Sequence, residues 1–432
     1  MSRLQEAAEL LDEAPEVSYA ILCDILRSAP DESRALYLLG VVHARAERWT
    51  EALALYERCA KLAPRKAAVW SAIGQVWHEL FRGQEAREAF RRAIELDEQA
   101  IYLGNIGSAY MQDGNPQEAI KWCLKALRKD PECRTARATL GFAQLATGNW
   151  REGWANADCA IDGKFRKRQP VGDEPTWDGG KVGHLFVYGE QGLGDEIMYA
   201  SCLPDVKASR ITLECDHRLH GLFRRSFPDI TVHGTRNKER EWTAAPDASI
   251  GIGSLPRYTR DSPEACPRKP YLVADPERVM QWRHLFKTWE KPVIGLCWSG
   301  GRHVTGKSRR HIGLEAFRDY ITRTDAVFVS LQYEDPTEEI EATGLPVRHF
   351  PRATMTADYD DTAGLVAALD GVVGGHTSVH HLAGALGVPS TILVPSRPLW
   401  LYQHGDRLPW YGSQTFHRQR NSESWTDCLA RM

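Results

Sequence analysis

At 432 residues the chain is too long for one hydrophobic core, so two or three domains are expected. Its 54 Lys and Arg nearly balance its 57 Asp and Glu, and this net charge of −3 excludes a strong overall field for nucleic acid or an acidic membrane. The 10 cysteines are scattered without a C-x-x-C pair, and neither a signal-peptide core nor a long apolar run is visible. We therefore expect a cytoplasmic protein without a disulfide framework, a zinc site or a membrane span.

A repeat of roughly 34 residues runs through the first third of the chain. Gly40, Gly74, Gly107 and Gly141 recur at spacings of 34, 33 and 34 residues. Twelve residues after each glycine stand the small residues Ala52, Ala86, Ala119 and Gly153. Sixteen residues after the first three stand Tyr56, Phe90 and Cys123. Two helices per period, with small residues where they cross, predict helical hairpins that bury their faces by stacking on one another.

This pattern resembles the tetratricopeptide repeat, and the match is carried by Leu39-Gly40, Ile73-Gly74 with Trp77, and Ile106-Gly107 with Tyr110. Three repeats are clear over residues 33–133, a degenerate fourth lies near 134–166, and residues 1–32 read as a shortened first hairpin. We assign residues 1–166 to an α-solenoid. The resemblance implies a concave surface that holds a peptide or another protein. The alternative is that the array only caps or dimerises the next domain. The sequence therefore leaves open whether the protein forms a homo-oligomer.

Strands and helices alternate in the remaining two thirds. The predicted strands are HLFVY, RITLEC, ITVHG, ASIGI, PVIGLCW, AVFVSL and the two apolar runs of residues 372–394. Helices are predicted at 195–207, 217–227, 276–288, 314–322, 362–369 and 425–432. Two such series predict two Rossmann-like halves, 167–275 and 276–432, facing each other across a cleft. The basic stretch Gly163–Pro170 reads as a linker or a solvated face.

Two glycine-bearing turns connect a strand to a helix. In EQGLGD, Asp195 is either a helix cap or a carboxylate facing the cleft. In VVGGHTSVHHLAGALGVPSTILV, Thr377 and Ser378 suit the start of a helix whose bare N–H groups can bind a phosphate. The alternative for the second turn is an ordinary βαβ unit without a ligand.

Six segments in this order carry a second resemblance: GEQGLGDEIMYASCLP, VIGLCWSGG, VFVSLQ, DDTAGLVAALD, HTSVHHLAGALGVP and PWYGSQTFHRQ. The set resembles the glycosyltransferase domains that follow tetratricopeptide repeats in bacterial proteins. Those domains are related to the ADP-heptose heptosyltransferases and similar in plan to O-GlcNAc transferase. The resemblance implies a GT-B fold, with the acceptor on half 167–275 and a nucleotide-sugar donor on half 276–432. It implies inverting transfer without an obligatory metal or other cofactor.

The resemblance also implies roles for individual residues. Asp195 matches the proposed general base. The residues implied to bind the donor are Gly192, Gly194, Ser299, Lys307, Arg309, Arg310, Gln332, Asp361, Thr362, His376, Thr377, Ser378 and His381. The chain departs from the family pattern at His376, where relatives have Asp, and at Tyr333, where a Lys is common. A solvated surface loop is the alternative for Lys307, Arg309 and Arg310.

Other signals carry less weight. Residues 301–308 fit the P-loop pattern, but Gly313 follows too soon for a P-loop helix. Asp358-Tyr359-Asp360 is expected to cap a helix rather than bind manganese. His376 and His380 have no third zinc ligand in view. Trp298, Trp400, Trp410 and Tyr411 are expected to be buried more readily than to stack on a base or sugar.

The sequence thus predicts an inverting, metal-independent GT-B glycosyltransferase whose repeats select a protein or other large acceptor. An inactive glycosyltransferase-like scaffold or nucleotide sensor is the second hypothesis, and a P-loop NTPase is the third. The partners expected are a nucleotide-sugar and a peptide or protein in the repeat groove, with neither nucleic acid nor a membrane.

Overall fold

Helical hairpins form the first unit of the computed structural model, Met1–Thr147, and two parallel sheets form the second, Gly148–Met432. The structure describes residues 2–163, 166–236, 238–240, 242, 245–301 and 310–432. In these residues no helix has both the length and the apolar character needed to cross a membrane.

The helices of the first unit pair as the repeat predicts. They are Arg3–Glu13, Pro15–Ser28, Ser33–Arg45, Trp49–Leu62, Ala67–Glu79, Gly83–Leu96, Ala100–Gln112, Pro116–Lys129 and Arg134–Ala146. The fourth predicted hairpin continues in helix Trp150–Ala157, which belongs to the second unit. A helical solenoid in the N-terminal region is therefore confirmed.

The repeating glycines allow the two helices of each hairpin to approach closely. A Cβ atom placed on Gly74 would lie 2.6 Å from Cδ1 of Phe90, and one on Gly107 would lie 2.7 Å from Sγ of Cys123. These are the residues sixteen positions later, and both are buried. The period in the sequence is thus the period of the helix crossings.

The second unit contains parallel strands at or near the predicted positions. The strands are β1 Val182–Tyr188, β2 Ala208–Glu214, β3 Thr231–His233, β4 Ala248–Gly251, β5 Val293–Cys297, β6 Val327–Ser330, β7 Val347–Arg348, β8 Gly371–Gly375, β9 Ser390–Val394 and β10 Gln414–Arg418. The sequence analysis did not identify β7 or β10. Both lie at sheet edges, where short strands carry little hydrophobic pattern.

The helices around these sheets are mostly short. They are Leu193–Ala200, His220–Ser226, Pro256–Thr259, Pro276–Lys287, Arg318–Arg323, Thr337–Thr343, Pro351–Thr354, Tyr359–Val366, Ser378–Leu386 and Trp425–Ala430. The helix predicted at 195–207 is in fact Leu193–Ala200 followed by a 3₁₀ turn, Leu203–Asp205. The helix predicted at 362–369 begins at Tyr359, because Asp358 caps it by accepting from the N–H of Asp360.

Both sheets have the strand order of a doubly wound fold. The first sheet is ordered β3-β2-β1-β4 and the second β10-β9-β8-β5-β6-β7, with every pair parallel. In each sheet the order reverses beside its first strand, between β1 and β4 and between β5 and β8. Crevices at the carboxyl ends of strands at such reversals are where ligands bind in α/β folds.

Candidate functional site

The first turn of the candidate site follows β1. This strand ends at Tyr188, and after Gly192 the chain enters helix Leu193–Ala200. Asp195 is the third residue of that helix, and its Oδ2 accepts from the Gly192 N–H at 3.1 Å. The carboxylate thus serves as a helix cap, one of the two alternatives that the sequence left open.

The proton affinity of Asp195 is set by its surroundings. Burial raises the pKa of its carboxyl group, while the Gly192 N–H and the charges of Arg310 and Arg166 lower it. A partly buried carboxylate with a raised pKa is what general-base chemistry near neutral pH requires.

The second turn of the candidate site follows β8. His376 comes directly after the strand, and Thr377 occupies the N-cap position of helix Ser378–Leu386. The Thr377 side chain makes no capping hydrogen bond to this helix, and its hydroxyl instead donates to Sγ of Cys297 at 3.6 Å. The His380 N–H donates to the Thr377 carbonyl at 3.1 Å, but no side chain caps this helix start, and such a start favours an anion.

The two helix starts lie against each other at Gly194. A Cβ atom on Gly194 would lie 2.9 Å from Cδ2 of His381 and 3.3 Å from Cα of Ser378. Glycine is therefore required for this approach of one helix start to the other. Asp195 and Thr377 consequently belong to one region of the second unit.

Arg310 brings positive charge to the same region. Burial lowers the pKa of its guanidinium, and the neighbouring Tyr402, Asp195 and Tyr333 oppose that shift. Its carbonyl oxygen lies 3.2 Å from where a Cβ on Gly375 would stand, at the end of β8. This cation and the start of helix Ser378–Leu386, which has no side-chain cap, together favour a negatively charged ligand.

Three of the predicted donor-binding side chains are engaged by the protein itself. Asp361 pairs with Nη1 of Arg278 at 2.5 Å and accepts from Thr356 at 2.9 Å. The buried Thr362 hydroxyl donates to the carbonyl of Ala353 at 2.7 Å.

The third of these side chains is Gln332, which lies beside Ser299, another residue predicted to bind the donor. Its buried amide, oriented to match its neighbours, donates to the Ser299 carbonyl at 3.0 Å and accepts from the Ser299 N–H at 3.2 Å. It thus holds the turn that follows β5.

The predicted histidines are buried. The ring of His376 lies 4.9 Å from that of Tyr402, centroid to centroid. Nδ1 of His381 lies 3.1 Å from the hydroxyl of Tyr411. Burial lowers the pKa of His381 to about 3, assisted by His380 and Arg310, so this ring is neutral near pH 7.

Cys297 and His380 form a further buried contact, with Sγ 3.5 Å from Nε2. Burial raises the pKa of Cys297 to about 12 and lowers that of His380 to about 4. Both groups are neutral near pH 7, so the pair lacks the thiolate that a cysteine nucleophile requires.

Lys307, Arg309 and most of the P-loop-like segment lie outside the described residues. Trp298 and Trp410 are buried in the second unit, as expected. Within the described ranges no three His, Cys, Asp or Glu side chains are grouped to hold a metal ion.

Sequence reasoning missed a buried arginine. Arg166 lies in the stretch interpreted as a linker or solvated face, yet it is 6% exposed and pairs with Glu190 at 2.7 Å. The signal that could have found it is Glu190, an acidic residue two positions after a buried strand, which needs a counterion.

The first unit has a surface cavity of its own, with a volume of about 550 Å³. It is lined mainly by the first helices of successive hairpins, with Trp49, Tyr56 and Phe90 from the second helices. Its polar lining includes Gln75, Asn105 and Ser108. This is the surface on which the repeats would hold a peptide.

Comparison with known proteins gives a similarity along most of the chain. The sequence is 29% identical over 440 residues to the protein FlbA of Caulobacter vibrioides, and the alignment covers 92% of this chain and 72% of FlbA.

Solved structures are similar to the helical part. MamA from Desulfovibrio magneticus RS-1 is 19% identical and covers 37% of this chain and 92% of its own, with a TM-score of 0.32. PilF of Pseudomonas aeruginosa is 20% identical over 36% of this chain and 72% of its own, with a TM-score of 0.34. YrrB, described as a tetratricopeptide repeat protein with an unusual peptide-binding site, is 22% identical over 37% of this chain and 84% of its own, with a TM-score of 0.31.

The family comparison bears on the same part of the chain. Profiles of the tetratricopeptide repeat match residues 33–66 and 79–132. The N-terminal region of this protein therefore contains tetratricopeptide repeats.

Proposed function

We propose that the second unit is an inverting glycosyltransferase of the GT-B plan, which moves a sugar from a nucleotide-sugar to a hydroxyl group of a protein or other large acceptor. The observation that carries the proposal is the close approach of two helix starts at Gly194 and Ser378, with Asp195 and Arg310 beside them. A base and an anion-binding region side by side are the two elements that such a transfer needs.

The chemistry assigns one role to each element. Asp195 takes the proton of the acceptor hydroxyl as its oxygen forms a bond to the anomeric carbon of the sugar. The bond from that carbon to the diphosphate breaks on the opposite face, so the configuration inverts. The start of helix Ser378–Leu386 and Arg310 stabilise the departing nucleoside diphosphate, and this requires no metal.

The repeats are proposed to select the acceptor. Their cavity combines aromatic side chains such as Tyr37 and Tyr56 with polar groups, a lining suited to a peptide segment. The tetratricopeptide repeats that line this cavity support the assignment, because stacked helical repeats present extended concave surfaces for binding.

The first experiment is a thermal-shift screen of the full chain with UDP, GDP, ADP, CDP, dTDP and their common sugar conjugates. One nucleoside diphosphate should stabilise the protein by several degrees and identify the base. ATP and GTP are included to test the NTPase hypothesis, which predicts their hydrolysis. A well-folded protein that responds to none of the ligands would contradict the donor site.

Asp195→Asn tests the chemical step. It should abolish transfer while donor affinity stays near wild type, because the carboxylate acts on the acceptor rather than on the donor. Asp229→Asn, at an exposed position, is the matched control and should transfer normally. Equal loss of transfer and donor binding in Asp195→Asn would make Asp195 a structural cap only.

One observation favours a second hypothesis, an inactive scaffold or nucleotide sensor. Tyr333, at a position where a lysine is common in the glycosyltransferases that the sequence resembles, is 51% exposed, and its hydroxyl donates to the Gly301 carbonyl at 3.2 Å. The position therefore supplies no cation to a diphosphate. Nucleotide binding without transfer to any acceptor would favour this hypothesis.

A further inference from the structure

Within the described residues, Arg166 donates four hydrogen bonds close to the candidate site. Its Nε and Nη2 donate to Oε1 of Glu190 at 3.1 and 2.7 Å. Nη2 also donates to Oγ of Ser254 at 2.6 Å, and Nη1 to Oδ1 of Asp158 at 3.3 Å. A guanidinium held at this many points has one fixed orientation.

Glu190 depends on this arginine for its charge balance. Its side chain is 1% exposed, and its Oε2 has no hydrogen-bond partner in the described part of the chain. A Cβ on Gly251, at the end of β4, would lie 2.6 Å from Cδ of Glu190, so the carboxylate fills the space beside that glycine. Without Arg166 this carboxylate would be a buried charge with no counterion.

Glu190 links the pair to the turn that carries the candidate base. Glu190 begins the turn in which Asp195 lies five residues later. The charge of Glu190 raises the pKa of Asp195, and that of Arg166 lowers it. The two effects oppose each other, so the intact pair perturbs the pKa of Asp195 less than either charge would alone.

We propose that Arg166 is a positioning residue for Asp195, because its buried ion pair with Glu190 fixes the turn and balances the negative charge beside the candidate base. The assignment of Asp195 as base rests on the proposed function. The ion pair itself gives Arg166 a role that its place in a basic stretch of sequence does not suggest.

Other charged and titratable groups also face Asp195 and must stay unchanged in the test. They are Glu196 and Tyr199 on its own helix, Arg310 and Tyr402 from the second sheet's half, and the ring of His381 against Gly194. None of these is altered in the variants below.

The test compares Arg166→Met, Glu190→Gln and the double variant in the full chain, with Arg168→Met as the matched control. Arg168 belongs to the same segment, but it is exposed and pairs with Asp162 at 3.2 Å. Two readouts are used: the pH dependence of transfer, and the titration of the Asp195 carboxyl group followed by ¹³C NMR, assigned with Asp195→Asn.

Arg166→Met should raise the pKa of Asp195 by about one unit, because two buried carboxylates are then left adjacent. The acid limb of the pH profile of kcat should shift to higher pH by the same amount, while KM for the donor changes less than about twofold. Glu190→Gln should shift the pKa downward. The double variant should return it close to wild type, since both charges are then gone.

A double variant as strongly shifted as Arg166→Met, or single variants that titrate like wild type, would overturn the proposal. If Arg166→Met does not fold, Glu190→Gln, which keeps the shape of the side chain, still has to lower the pKa. The NMR titration needs no substrate. If the variants titrate as expected but the wild-type protein transfers no sugar, the proposed function is refuted. The role of the ion pair in setting the pKa of Asp195 would still be supported.

Discussion

The ion pair between Arg225 and Asp360 gives a sharp test of how the two sheets of the second unit are connected. Nη1 and Nη2 of Arg225 donate to the two carboxylate oxygens of Asp360 at 2.9 and 2.6 Å. The side chain of Asp360 is 3% exposed and that of Arg225 is 29% exposed. The pair joins helix His220–Ser226 to helix Tyr359–Val366.

The two single variants should differ in cost. Arg225→Met leaves the Asp360 carboxylate buried without its counterion, a situation that costs about 3 kcal/mol or more of unfolding free energy. Asp360→Asn leaves Arg225 with the Val273 carbonyl at 3.2 Å and Asp275 at 3.7 Å. Because that guanidinium is also partly exposed, we expect a loss of about 2 kcal/mol.

Urea unfolding of the full chain, followed by tryptophan fluorescence, measures these losses. The double variant Arg225→Met/Asp360→Asn should lose at least about 1 kcal/mol less than the sum of the single losses, because the two residues act as one pair. Lys291→Met, which breaks an exposed pair with Asp325, should cause no measurable loss. Additive losses, or a larger loss for Asp360→Asn than for Arg225→Met, would refute the reasoning.

Three further predictions concern the repeats, the buried histidine and the helix starts. Phe90→Ala should destabilise helix Gly83–Leu96 by about 3–5 kcal/mol, seen as faster hydrogen exchange in that helix, and unchanged exchange would contradict the packing. His380 has a pKa lowered by burial to about 4, so the unfolded chain takes up its proton first as the pH falls below 6.5. His380 alone should therefore lower stability by about 2 kcal/mol between pH 7 and pH 5. His380→Gln should remove that part of the total loss, to which the buried His381 also contributes. Gly194→Val should push apart the two helix starts that meet at Gly194 and Ser378. The variant should still fold, but a nucleoside diphosphate should raise its melting temperature less than it raises that of the wild type. An equal rise in both proteins would place the donor site elsewhere.

The placement of the candidate site was only partly foreseeable from local pattern. Asp195 and Thr377 were found because a glycine turn between an apolar strand and a helix is visible within a few residues. The local sequence did not reveal that the side chains of Asp361 and Thr362 bind groups of the protein itself. Their partners, Arg278 and the Ala353 carbonyl, belong to other elements. A side chain's partner depends on tertiary packing, which the local sequence does not state.

The sequence by itself determined the repeat and the strand–helix alternation. Glycine spacing specifies where paired helices cross, and apolar runs specify buried parallel strands, since both are periodic features of a short segment. The tertiary structure alone decided which charges are buried together. Arg225 and Asp360 are 135 positions apart, and Arg166 and Glu190 are separated by a strand. No period links such residues, because their contact exists only once the sheets and helices have packed into layers around a common core.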